Sequence, residues 1–139
     1  MTQEQQDDAA FQDVFTRYSR VDPNTVSDEQ LTQLLTGDVL SSERKYISQA
    51  RDSGETTDGL SIISGFQVTD RGVDAQQAEY LTAQLCLDVS GTRILDKDGK
   101  DVTPSRDARL SLQAKSIRAD DRTWRISDIV RNEDVHACG

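Results

Sequence analysis

Residues 77–89 form a stretch whose types alternate from Tyr80 onward. Leu81, Ala83, Leu85, Leu87 and Val89 share one parity; Tyr80, Thr82, Gln84, Cys86 and Asp88 share the other. A period of two sustained this long predicts a strand with one packed face and one wetter face. A ribbon of this kind does not stand alone in water, so the rest of the chain must cover its leucine row. The cover is found in the first half.

Residues 3–20 predict a first helix, with Phe11, Val14, Phe15 and Tyr18 on one stripe. Acids gather at its start and arginines at its end, which complements the helix dipole. Asp22-Pro23-Asn24 stops it. Ser27 and Gln30 form a capping box for a second helix that buries Leu31, Leu34 and Leu35 and ends on Gly37. Asp38 or Ser41 caps a third helix running to about residue 53. Its expected buried positions are Val39, Leu40, Tyr46, Ile47 and Ala50, and Gly54 closes it. Residues 53–59 have no periodicity and predict a mobile loop.

Further strands are expected at residues 60–70, 108–119 and 123–130. In the first, Leu60, Ile62, Phe66 and Val68 share a parity, and Asp70-Arg71-Gly72 begins a turn. In the second, Leu110, Leu112 and Ala114 face inward, with Arg109, Ser111, Gln113 and Lys115 outward. In the last, Trp124, Ile126, Asp128 and Val130 lie on one side. Arg93–Leu95 and residues 100–102 flank Asp98-Gly99 as a small hairpin. Short turns between consecutive strands require antiparallel pairing. The expected architecture is therefore α+β: three N-terminal helices packed on a curved antiparallel sheet of about four long strands, a cone-shaped roll, plus a small hairpin. At 139 residues the chain reads as a single domain over 1–139.

A net charge of −9 argues against nucleic acid as a partner, because phosphate binding needs basic surface. Residues 1–60 hold 12 acids against 5 bases, so the helical half carries most of the excess, read here as solvated helix faces. No apolar run is long enough for a transmembrane segment, and Met1 opens no basic-then-apolar leader. Two readings stand: a cytoplasmic protein, or an extracytoplasmic one whose leader lies outside this chain.

The order of elements, the strand Leu-Cys-Leu-Asp-Val-Ser with its Asp-Lys-Asp-Gly-Lys hairpin, and the closing Thr-Trp-Arg-Ile-Ser-Asp-Ile-Val strand resemble the NTF2-like superfamily, the cystatin-like α+β roll. The pattern is most similar to small actinobacterial secreted and lipoprotein-type domains of that superfamily, in which a middle-strand Cys recurs with one at the tail. The superfamily holds isomerases, dehydratases, transport adaptors and secretion scaffolds, so the likeness implies a fold and not an activity.

Cys86 and Cys138 either bridge or remain free thiols. The resemblance implies the bridge, and a tail folded over the outer sheet face would bring the two together. Closing that loop contributes roughly 4 kcal/mol in the chain-entropy model and implies an oxidising compartment. No metal site is expected: there is no CxxC pair, and His136-Ala137-Cys138 offers too few ligands for a structural zinc. His136, the single histidine, reads as an exposed tail residue. Asp96, Asp98 and Asp101 read as hairpin chemistry and not as a calcium loop.

The resemblance also implies where catalysis would sit, with a carboxylate and a tyrosine meeting inside the cone. By parity Asp128 is the best inward carboxylate, Tyr18 and Tyr46 are the available hydroxyls, and Asp70 and Asp88 are lesser options. No catalytic motif stands out and no cofactor is expected. The reading is a non-catalytic extracytoplasmic domain, part of an envelope-associated protein. It would bind a protein partner, self-associate, or take a ligand of unknown identity. The alternative is a small-molecule-binding or isomerase/dehydratase-like enzyme using the cone pocket.

Overall fold

A computed structural model describes residues 1–139. Helix α1 spans Gln3–Ser19 and buries Phe11, Val14 and Phe15, the expected stripe. Thr2 opens it with a capping box, its hydroxyl accepting from Gln5 N at 3.1 Å while Gln5 Oε1 accepts from Thr2 N at 2.9 Å. Helix α2, Asp28–Leu34, starts at the Ser27–Gln30 box read from the sequence.

Gly37 does not end α2. That helix stops at Leu34, and Leu35 turns extended to bridge Ile126 at a sheet edge, where Thr36 N donates to Ile126 O at 2.8 Å. Burial of Leu35 against the core wins over one more helical residue. Gly37, at φ +58°, instead opens helix α3, Gly37–Ser53, and the N-cap is Thr36 rather than Asp38 or Ser41. Gly54 ends α3 in the left-handed region, as expected. Of the positions expected to be buried on α3, Ile47 is buried and Val39, Leu40 and Ala50 are half-buried, but Tyr46 is 42% exposed. It lies one residue, about 100°, off the stripe.

Residues 56–58, expected to lie in a loop, form strand β1, Thr56–Asp58. Its partner is β4, Arg93–Leu95, in an antiparallel pair with Thr57 opposite Ile94. Three residues show no alternation, so only the partner reveals the strand. The other edge of β1 is closed by a side chain: Asn24 Nδ2 donates to Thr57 O at 2.8 Å, and Asn24 Oδ1 accepts from Thr57 N at 2.9 Å. Beyond β4 the chain reverses through Asp96, whose Oδ1 accepts from the backbone N–H groups of Asp98 and Lys100, both at 2.9 Å. Leu95 then bridges Asp101, so the small hairpin exists as one bridge. This is the turn chemistry read from Asp-x-Asp-Gly.

The main sheet is four-stranded, antiparallel and open, in the order β2–β3–β5–β6. Strand β2 is Ile62–Val73, β3 is Glu79–Asp88, β5 is Arg109–Arg118 and β6 is Trp124–Arg131. The expected turn at Asp70-Arg71-Gly72 is strand instead. The reversal comes at Asp74, which caps it by accepting from the backbone N–H groups of Gln76 and Ala78. Gly72 leaves room there for the Tyr80 ring, which packs on it from β3; a Cβ would sit 2.8 Å from the Tyr80 hydroxyl and displace the ring.

Strand β3 keeps its alternation, with Leu81, Ala83 and Leu85 buried beneath the helices. Strand β2 does not. Irregularities between Ser64 and Gln67 and between Val68 and Asp70 shift its parity twice. Ile63, Phe66 and Val68 pack on the core, while Leu60 and Ile62, expected to lie with Phe66 and Val68, are exposed. The core is one cluster joining Phe11, Val14 and Phe15 of α1, Leu31, Leu34 and Leu35, Ile47 of α3, and the inner row of the sheet. No helix is long and apolar enough to cross a membrane.

Candidate functional site

The chain has two distinctive places, one on each side of the sheet. On the outer side the segment after β6 folds back. Asn132 N donates to Ser111 O at 2.9 Å, and Asn132 Nδ2 donates to Gln113 Oε1 at 2.9 Å. A single 3-10 turn, Glu133–Val135, follows, with His136 left-handed at φ 50° and exposed. Ala137 N donates to Ser111 Oγ at 3.0 Å, and Cys138 is bonded to Cys86. The tail thus crosses β5 and β3 and reaches β2, where Gly65 keeps a Cβ out of the path of Ala137 O. Beneath it the polar outer-face residue Ser111 and its neighbour Cys86 are each 1% exposed.

Asp128 is not an inward carboxylate. The register of β6 slips between Lys115 and Ser116, so Ser116 opposes Ile126 while Lys115 opposes Asp128. Ser127 is the extra residue. Past it the parity inverts, Ile129 packs on the core, and Asp128 is exposed on the outer face, where the Ser127 hydroxyl donates to it at 3.0 Å. Asp88 accepts from the backbone and hydroxyl of Ser90, and exposed Asp70 accepts from the Tyr80 hydroxyl at 3.3 Å. Neither enters the interior. Tyr46 lines a cavity of ≈ 230 Å³ against Ile47, Arg51 and Ile94, apart from Tyr18. The proposed carboxylate and two tyrosines therefore do not meet.

Tyr18 does meet a carboxylate, and it is Glu43. The Tyr18 hydroxyl donates to Glu43 Oε2 at 2.8 Å across the gap between α1 and α3. Both line a cavity of ≈ 250 Å³ whose other walls include Phe15, Leu87, Leu112 and Ile129. Glu43 is the one charged residue in that lining. Burial, then the Glu43 charge, then the hydrogen bond itself hold the Tyr18 hydroxyl far above the ordinary phenol range. The signal for Glu43 was present in the sequence: four residues before Ile47 and four after Val39, it interrupts the apolar stripe of α3.

No protein-family model matches the chain, and no curated protein matches it. Solved structures do. A structure of the intermembrane space region of chloroplast protein ARC6 aligns with TM-score 0.50 at 16% identity, covering 75% of this chain and 76% of that one. A periplasmic fragment of TraM aligns with TM-score 0.54 at 13% identity, covering 91% and 96%. At these identities the shared property is the fold: helices on one face of an open antiparallel sheet.

Proposed function

We propose that this chain is an NTF2-like, cystatin-type domain that works outside the cytoplasm as part of an envelope-associated protein, and that it acts by binding a protein partner. The Cys86–Cys138 bridge carries this reading. A bridge that pins the last residues onto the sheet persists where the surroundings are oxidising, and reducing cytosols remove such bonds. The two structural neighbours, described as periplasmic and intermembrane-space regions, support the same setting. The surface offered to a partner is the outer sheet face beside the strapped tail, where Val130 and Gln113 lie across from one another and Val130 is exposed.

Intact mass of protein recovered from its native compartment tests the location. A gain of two hydrogens on reduction is expected; no gain removes the extracytoplasmic assignment. Cross-linking from a photoreactive residue at position 130 tests the surface. One discrete adduct is expected there, with none from an equivalent residue on the exposed face of α2.

A further inference from the structure

Glu43 is half-buried, faces an apolar cavity and has no cation. The chain forms nine ion pairs, and none includes it. Its single hydrogen bond is the one Tyr18 donates to Oε2, so Oε1 is free. The carboxylate therefore keeps one oxygen open to a donor at the edge of the cavity.

We infer that this cavity receives a primary ammonium group on a short aliphatic chain. Three observations select that chemistry. One carboxylate oxygen is taken by Tyr18, so the site offers a single acceptor; this suits a point-charge ammonium better than a guanidinium, whose fork wants both oxygens. The walls of Phe15, Leu87, Leu112 and Ile129 suit methylene groups. A volume of ≈ 250 Å³ lies below the range for drug-sized ligands, so the body must be slim. The acidic helical half, with 12 acids and 5 bases in residues 1–60, draws cations toward this side of the molecule. Two sources present this group: a free alkylamine, or a lysine side chain of a partner protein. Pocket chemistry and compartment are separate matters, so failure of either leaves the other standing.

Titration of the full chain with pentylammonium and with pentanol, followed by amide shifts around Glu43, Leu87 and Ile129, decides the point. The ammonium should bind at least about tenfold more tightly than the alcohol, the margin of a charge-assisted hydrogen bond. Glu43→Gln should erase that preference while Tyr18→Phe keeps it. Equal binding of the two probes, or a preference that survives in Glu43→Gln, overturns the proposal. Should Glu43→Gln fail to fold, Ile129→Trp fills the cavity instead; loss of ammonium binding supports the site and retention refutes it. A lysine-centred tripeptide separates the sources. Tighter binding than pentylammonium indicates a partner's lysine, and weaker binding indicates a free amine.

Discussion

Cys138 is bonded to Cys86 from outside the sheet, with 4.8 Å between their Cα atoms. The residues lie 52 positions apart, so the bond closes a loop holding β4, β5 and β6. In the chain-entropy model such a loop is worth about 4 kcal/mol. Cys138→Ser should lower the unfolding free energy by about 2–4 kcal/mol in denaturant titrations. It should leave the far-ultraviolet spectrum unchanged, because the core cluster contains no tail residue. Hydrogen exchange should show that loss at every amide that exchanges by global unfolding, with a further loss at the Ala137 amide, which bonds Ser111 Oγ.

Tyr18 sets a limit at alkaline pH. Its folded pKa is raised by burial and by Glu43, so the native state holds a proton that the unfolded state releases from about pH 10 upward. Stability from this group is whole below that pH and falls as pH rises above it. Phenolate absorbance should show one tyrosine that ionises only with unfolding. Tyr18→Phe should abolish that delayed step and flatten the alkaline slope of stability.

Gly59 and Gly99 both have positive φ, at +84° and +82°, but differ in their surroundings. A Cβ on Gly59 would lie 1.9 Å from Gly91 O, whereas one on Gly99 would meet nothing within 4 Å. Gly99→Ala should cost about 1 kcal/mol, the backbone penalty alone. Gly59→Ala should cost more than about 3 kcal/mol, since two backbones must separate. Paired thermal melts give the comparison.

Asn24 stands in for a strand along β1. Asn24→Ala removes both bonds to Thr57 and should cost about 1–3 kcal/mol. The Thr57 amide should lose protection by that amount; protection that stays unchanged there would show that Asn24 does not hold the edge of β1.

The alternation of β3 was legible because β3 itself carries no extra residue: its pairing with β5 runs in unbroken register and both irregularities against β2 lie in β2, so parity and face coincide along β3. The α1 stripe and the Ser27 box were legible because helical periodicity and capping act over four residues or fewer. Asp128 was misread for the opposite reason. One extra residue, Ser127, reverses every side chain after it, and a bulge leaves no mark in a run of alternating types. Leu60 and Ile62 were misassigned in the same way, ahead of the first irregularity in β2. Strand β1 was missed because its only evidence is a partner more than thirty residues away, Ile94 opposite Thr57.

By itself the sequence determined the α+β class, the helical cover and the packed side of β3, because these follow from local periodicity and from the need to bury one apolar face. The tertiary structure alone decided which carboxylate faces the interior. Glu43 reaches Tyr18 because α1 and α3 both pack against β6 from the same side of the sheet, and Asp128 is turned to water because its strand slips against β5. Both outcomes depend on the register between elements distant in the chain, and register is set when side chains pack, not by the order in which they are written.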